Sequence, residues 1–253
     1  MIELISIFVL MVVIFLILFW LKKTLFLVGF FFKLFLLFML VCVIGSIIFG
    51  YMVVKDANDF KNNFGNSTSM VVLRQEANAS DKNSTDRFLA GIRFNPEKKD
   101  FDTINKSDLA NIERLYKEDK LSTLGADYYK VFVIELASFD EVSLYNISDQ
   151  NVELTKDEMK AVLVSDHARD TLAEIISKKN GKTTAEVLKD LAATDEKVKG
   201  YILSYYLSTV FNPSNLGEFM SQLKSDNIQV YHNTALFKAI KLIPQTLINM
   251  VVN

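Results

Sequence analysis

Residues 34–54 read LFLLFMLVCVIGSIIFGYMVV and contain no charged side chain. A helix needs about 20 apolar residues to cross roughly 30 Å of hydrocarbon. We therefore predict a transmembrane helix here. The stretch decides the fold, because the remaining chain must be organised around a membrane anchor.

A second apolar stretch precedes it. Residues 2–21 carry Glu3 as their only charge, and their length again suits a transmembrane helix. A cleaved signal peptide is the competing interpretation, but a basic n-region and a small-residue cleavage site are both missing. We expect helices at about 2–21 and 34–54 to form a transmembrane hairpin (residues 1–54) with an apolar, Phe-rich connector.

Several residues at the ends of these helices favour the membrane–water interface, where aromatic and basic side chains concentrate. They are Trp20, Lys22, Lys23, Lys33 and Tyr51. Three of the lysines lie in the connector, against Lys55 and Lys61 shortly after the second helix. The positive-inside rule then predicts a cytoplasmic connector and an extracytoplasmic domain after residue 55.

The composition after residue 54 limits the function classes. This part has 25 basic and 29 acidic residues without a basic cluster, which argues against nucleic acid as a partner. The lone cysteine, Cys42, excludes an intramolecular disulfide and a thiolate metal cluster. The segment Asn180–Thr183 resembles the end of a phosphate-binding loop but lacks its first glycine. No cofactor is expected.

The soluble part is predicted to be an α+β domain at 70–253, mainly helical after residue 155, behind a polar linker at 55–69. Capping boxes at Thr155/Glu158 and Thr183/Glu186 open two of its helices. The predicted strands are 70–75, 87–94, 129–136 and 228–231, and the predicted helices are about 107–120 with Ser107 as N-cap, 156–179, 184–192, 195–211 and 214–225. We expect a small antiparallel sheet covered by several helices on one face.

One cluster of polar residues suggests chemistry. Asp166, His167 and Asp170 are predicted to lie within one helical turn, where they could bind a metal ion or act as an acid/base pair. Helix surfaces carry such groups routinely, so a structural interpretation is favoured. We expect no catalytic or cofactor-binding residues elsewhere, because no hydrolase, metalloprotease or kinase motif is present.

Five N-x-S/T sequons fit glycosylation of an exported domain. They begin at Asn66, Asn78, Asn83, Asn105 and Asn146. Chance alone produces several such sequons in a chain rich in Asn and Ser, so both interpretations stay open.

The C-terminal segment is predicted to be an amphipathic helix from Asn233. Apolar residues share one face while lysines form a narrow polar stripe; the residues concerned are Leu236, Lys238, Ile240, Lys241 and Leu247. A core helix is the favoured interpretation, and a helix on the membrane surface or in a partner's groove is the alternative. A third crossing is disfavoured by the two lysines.

The segments Phe88–Ile92, Tyr129–Val133 and Ile228–Pro244 together resemble an uncharacterised family of membrane proteins from small-genome archaea. Members of that family pair an N-terminal apolar hairpin with a domain of this layout. The resemblance rests on packing patterns and implies no activity, cofactor or site residue.

The sequence is compatible with three classes of function. A structural or interaction protein of the cell envelope is favoured, with the lipid bilayer and an envelope protein or a second copy of the chain as partners. A membrane-anchored hydrolase with a carboxylate-based site is the alternative. A pore made of several hairpins is disfavoured, because the predicted spans lack polar lining residues.

Overall fold

The computed structural model describes residues 2–77, 86–141, 144–147, 152–210, 216–244 and 246, and of residues 2–30, 140, 141, 144–147 and 216 it describes the backbone alone. The chain divides into two compact units, Met1–Met52 and Val53–Asn253.

Helix α1 spans Ile2–Asn63 without interruption. The predicted connector at 22–33 is helical throughout, so the structure has one long helix where the sequence predicts a hairpin. The connector contains no proline, and Gly29 is its only strong helix-disfavouring residue, so no local signal ends the helix there. Residues 55–63, predicted to belong to a linker, are likewise the last turns of α1.

One helical segment, Phe31–Asn63, is long and apolar enough to cross a membrane by length and composition, with a mean hydropathy of 2.6. Its large apolar side chains from Phe31 to Met52 are 37–70% exposed. The segment lies near the N-terminus and is compatible with membrane anchoring.

The second unit contains a five-stranded mixed sheet and a two-stranded hairpin. The strands are β1 (Met70–Gln75), β2 (Arg87–Asn95), β3 (Asp100–Thr103), β4 (Val131–Glu135), β5 (Leu144–Ile147), β6 (Val152–Thr155) and β7 (Ile228–Tyr231). The larger sheet has the order β3-β2-β1-β4-β7, and the hairpin pairs β5 with β6. β1 and β4 are parallel, while the other neighbours are antiparallel.

Helices cover both faces of the larger sheet. They are α2 (Lys106–Lys117), α3 (Lys156–Val164), α4 (Ala168–Asn180), α5 (Thr184–Asp190), α6 (Asp195–Val210), α7 (Leu216–Lys224) and α8 (Ala235–Leu242), with 3₁₀ helices at Leu121–Ala126 and Leu136–Glu141. α2 and the first 3₁₀ helix pack with Val72, Val131 and Val133. The larger core, with α3, α4 and α6, contains Leu73 and Phe132.

The α+β class is confirmed, but two details of the prediction are wrong: the sheet is mixed rather than antiparallel, and both of its faces are covered. The physical reason is visible in β1, where Met70, Val71, Val72 and Leu73 are all at most 4% exposed. Such a continuous apolar run is typical of a strand buried on both faces beside a parallel neighbour.

The elements and caps predicted from local sequence agree with the structure better than the predicted strand pairing does. Strands 70–75 and 228–231 and both capping boxes are confirmed. The predicted helix 156–179 is two helices, because the chain turns at residues 165–167. The N-cap of α2 is Asn105 rather than Ser107, since the Asn105 side chain accepts the Asp108 N–H.

Candidate functional site

The residues predicted to lie at the membrane interface are all on α1. Lys33 is exposed, and Tyr51 is 70% exposed. The side chains of Trp20, Lys22 and Lys23 lie outside the described residues. Their interfacial role stays a prediction.

Asp166, His167 and Asp170 do not share one helical turn. Asp166 and His167 precede α4, whose N-cap is His167, and Asp170 lies in its first turn. All three side chains are exposed, and Asp166 pairs with Arg87 at 3.4 Å. Among the described residues, no group of three or more His, Cys, Asp or Glu side chains could hold a metal ion.

Two of the five sequon asparagines can be described in full. Asn66 and Asn105 are exposed, and Asn105 Oδ1 accepts the Asp108 N–H at 2.8 Å. Asn146 lies in β5, but its side chain is outside the described part of the chain. Asn78 and Asn83 lie outside the described residues altogether. Glycosylation therefore stays a prediction.

The described part of the C-terminal helix packs against the domain core. In α8, Phe237 is only 2% exposed, Leu236 and Ile240 are partly buried, and Lys238 and Lys241 are exposed. Leu247 lies outside the described residues. The part of α8 up to Ile240 thus packs on the core with Phe237 as the deepest contact, whereas Leu242 is 74% exposed, and the core and membrane-surface interpretations both stay open.

A groove of about 450 Å³ runs along the outer edge of β7, and we call it the edge groove. Its lining residues are Ser122, Leu223, Asp226, Gln229, Val230, Tyr231, His232, Asn233, Phe237 and Lys241. α7 and α8 form one wall, and the first 3₁₀ helix contributes Ser122. A strand edge exposed in a groove is a common binding surface for extended peptides.

The ladder between β4 and β7 fixes which backbone groups face the edge groove. Glu135 N donates to Asn227 O at 2.8 Å, and in antiparallel pairs alternate residues direct both backbone groups to the partner strand. Gln229 and Tyr231 therefore face β4, whereas Val230 directs its N–H and C=O away from it. Within the described strands, β7 pairs with β4 alone.

Both ends of β7 are bounded by residues with left-handed backbone, Asp226 at φ 61° and His232 at φ 64°. Asp226 forms an ion pair with Lys241. The His232 ring lies so close to Gly125 that a Cβ there would be 2.0 Å from Cε1. These constraints keep the exposed edge short.

A partly buried ionic cluster lies at the carboxyl end of the parallel pair β1 and β4. Arg74 makes two hydrogen bonds to Asp86, at 2.7 and 3.0 Å. Its remaining amino group contacts Glu135 Oε1 at 2.8 Å, and its guanidinium lies 4.9 Å from the centre of the Tyr116 ring. The hydrogen bonds that Arg74 donates to Asp86, together with the charge of Glu135, raise the pKa of Arg74 against the opposing effect of burial, so this residue stays cationic.

Glu135 is the unusual member of this cluster. The residue is 9% exposed, and Oε2 is buried with no hydrogen-bond partner in the described part of the chain. Burial raises the pKa of Glu135, against the opposing charge of Arg74. Burial also raises the pKa of Tyr231, on the same sheet face, to about 12. A buried carboxyl group with a raised pKa is a candidate for proton transfer.

A cleft of about 280 Å³ lies between β2, α2 and the start of α6. Lys199 lines it and forms no ion pair across the described ranges. Burial lowers the pKa of Lys199, and the nearby Arg87 lowers it further. The carboxylates of Glu113, Asp195 and Glu196 also line the cleft, so its charges do not favour one class of ligand.

A second buried cation lies beside the last turns of α1. Lys130 is 3% exposed, donates to His232 O at 2.8 Å and lies 5.7 Å from the centre of the Phe237 ring. Burial lowers the pKa of Lys130, while the nearby Asp56 and Asp59 act in the opposite direction. This arrangement joins α1, β4 and α8 within the second unit.

Sequence reasoning missed Arg74, Glu135, Lys130 and Lys199. Arg74 and Glu135 each follow an apolar strand run, and Lys130 precedes one, which is the only signal the sequence offers. The contact of Arg74 with Glu135 depends on the parallel pairing of β1 with β4, and no local pattern encodes it.

Comparison with protein-family models, with characterised proteins and with solved structures finds no match to this chain. The resemblance to membrane proteins of small-genome archaea therefore stays a prediction.

Proposed function

We propose that the chain is a membrane-anchored structural or interaction protein of the cell envelope, acting by binding rather than by catalysis. The observation that carries this proposal is the apolar surface of α1. Large apolar side chains from Phe31 to Met52 are 37–70% exposed. Water-facing helices alternate apolar and polar faces, whereas a helix that is apolar all round requires an apolar environment.

Two membrane crossings explain the length of the apolar region. Residues 2–54 in one helix would extend about 80 Å at 1.5 Å per residue, against roughly 30 Å of hydrocarbon. We propose that in a bilayer the region divides near Lys22, Lys23 and Lys33. In a Cys42→Ser background, Thr24→Cys should react with a membrane-impermeant maleimide from one side of the membrane. A cysteine at position 24 that the maleimide cannot label from either side of the membrane would contradict two crossings.

The same three lysines support a cytoplasmic connector and an extracytoplasmic second unit. Protease added to intact cells should then remove a tag placed at Gly65, in an exposed turn after α1. A tag that is cut only after the cells are opened would contradict this orientation. Glycosylation at Asn66 would support it.

The edge groove is the proposed partner surface, because Val230 offers an N–H and a C=O there. Proline at this position removes the outward N–H without removing a bond to β4. Cross-linking in native membranes should give a complex with the original chain and with Val230→Ile, which keeps the N–H. The complex should be lost with Val230→Pro. An unchanged complex, or a chain recovered alone and monomeric, would contradict the proposal.

A membrane-anchored hydrolase is the second candidate, and Glu135 is the observation that favours it. A buried carboxyl with a raised pKa is a common general acid. If the chain hydrolyses any of a panel of chromogenic esters, phosphates and glycosides, Glu135→Gln should abolish that activity. Activity that survives the substitution would exclude Glu135 as the acid.

A further inference from the structure

Helix α8 begins beside the last turns of α1. Leu236 N donates a hydrogen bond to Asp56 Oδ2 at 3.3 Å. The compact unit that contains α8 begins at Val53, one residue before the proposed membrane span ends at Val54. This unit therefore includes the end of the span, and Asp56 fixes where the first turn of α8 lies relative to it.

Asp56 lies close to the end of the proposed span. It follows Val54 by two helical residues, about 3 Å at 1.5 Å per residue. A bilayer of about 40–45 Å with a hydrocarbon core of about 30 Å has a headgroup layer of roughly 5–7 Å on each side. If the span ends at Val54, Asp56 and the first turn of α8 lie at the level of the lipid headgroups.

The outer face of α8 combines an apolar side chain with a lysine. Phe237 is 2% exposed and packs on the core, whereas Leu242 is 74% exposed. Lys238 is exposed and forms no ion pair within the described ranges. Positions 238 and 242 are four residues apart, so their side chains are neighbours on one face of the helix. At a membrane surface such a lysine covers apolar surface with its stem while its charge reaches the headgroups.

The sequence after α8 has the same apolar character. Residues 247–253 carry no charged side chain, and five of the seven are apolar. One exposed leucine is ordinary on a protein surface. An exposed leucine near the headgroup layer, followed by an uncharged apolar segment, favours lipid over water as the neighbour of this face.

We propose that the outer face of α8 contacts the phospholipid bilayer that anchors α1, with Leu242 among the acyl chains and the Lys238 ammonium group paired with lipid phosphate. This inference rests on the proposed membrane anchoring and adds a second lipid contact to it. The second contact holds the domain close to the membrane surface.

The test measures tryptophan quenching in the full chain, in nanodiscs of phosphatidylcholine and phosphatidylglycerol with brominated acyl chains. Trp20 is the only tryptophan of the chain, and in the original protein it reports on anchoring. Leu242→Trp in a Trp20→Phe background reports on α8. Tyr201→Trp in the same background is the matched control, because Tyr201 is 58% exposed on α6. Quenching is expected at positions 20 and 242 and not at position 201.

The outcomes distinguish this proposal from membrane anchoring itself. Quenching at position 20 without quenching at position 242 would overturn the α8 contact and leave anchoring intact. No quenching at position 20 would overturn both. Equal quenching at positions 201 and 242 would show that the domain contacts lipid without preference for α8, which also overturns the proposal.

Charge reversal tests the lysine. Lys238→Glu, added to Leu242→Trp, should reduce the quenching at position 242, because anionic lipid attracts a lysine and repels a carboxylate. Lys189→Glu, at an exposed position of α5, makes the same change in net charge and should leave the quenching unchanged. Equal effects of the two charge reversals would overturn the role of Lys238.

Discussion

The hydroxyl of Tyr129 donates a 2.6 Å hydrogen bond to Oδ2 of Asp59. This bond joins the last turns of α1 to Tyr129, two residues before β4 begins at Val131. Burial, with the adjacent Asp59 carboxylate, raises the pKa of Tyr129 well above its usual range, so the hydroxyl keeps its proton and stays a donor. The edge-to-face contact of Phe60 with Phe237, at 5.5 Å, lies on the same junction.

Replacing Tyr129 by Phe removes this bond and keeps the ring. We expect Tm to fall by roughly 2–4 °C, as for the loss of about 1 kcal/mol from a domain of this size. Thermal unfolding in nanodiscs, followed by circular dichroism, measures the change. Tyr128→Phe, at the neighbouring residue, is the matched control and should leave Tm unchanged. Equal effects of the two substitutions would show that the Asp59 bond is not what stabilises the junction.

Arg74→Met tests the ionic cluster. The substitution leaves Glu135 without its cation in a site where Glu135 is 9% exposed, and breaking a buried ion pair from one side is strongly destabilising. We expect Tm to fall by roughly 6–12 °C. Arg114→Met removes an exposed pair with Glu118 and should have no measurable effect. A small loss at Arg74 would mean that the cluster is hydrated rather than buried.

The raised pKa of Glu135 predicts that the stability of the folded chain depends on pH. Because burial raises its pKa, the folded chain holds this proton at pH values where the unfolded chain, with an ordinary Glu pKa of about 4.3, has lost it. Between the two pKa values the folded state binds more protons, so stability falls as pH rises. As the pH rises from about 4, the Tm of the original chain should fall relative to the Tm of Glu135→Gln. A constant difference between them, or a gain for the original chain, would contradict the raised pKa.

The capping box of α5 predicts that removal of the N-cap side chain lowers Tm. Thr183 accepts the Glu186 N–H at 3.3 Å, and the Glu186 carboxylate accepts the Thr183 N–H at 2.8 Å. Thr183→Ala should lower Tm by roughly 2–4 °C. Thr184→Ala, one residue later and inside the helix, should not lower it, since Ala is the better helix former. A larger fall in Tm for Thr184→Ala than for Thr183→Ala would show that the cap does not stabilise the helix.

Features that local sequence encodes were predicted well. The caps at Thr155 and Thr183 depend on residues three positions apart, and strand 228–231 is a short apolar run with clear ends. The sequence also identifies the apolar region of α1 by composition alone. Its division into two helices is not seen in the structure, because no residue between Lys22 and Lys33 is strong enough to end a helix by itself.

Features that depend on long-range pairing could not be predicted. The partners Arg74 and Glu135 are 61 residues apart, and they meet only because β1 and β4 are parallel. β3 (Asp100–Thr103) has no apolar alternation and was missed.

Membrane anchoring is the central claim, and extraction of native membranes with alkaline carbonate tests it most directly. The original chain should stay in the membrane pellet. A variant with Leu10, Ile14, Leu40 and Ile44 replaced by Asp, two in each proposed crossing, should appear in the supernatant, because each charge near the bilayer centre costs roughly 2.5–3.5 kcal/mol. Release of the original chain into the supernatant would contradict the account.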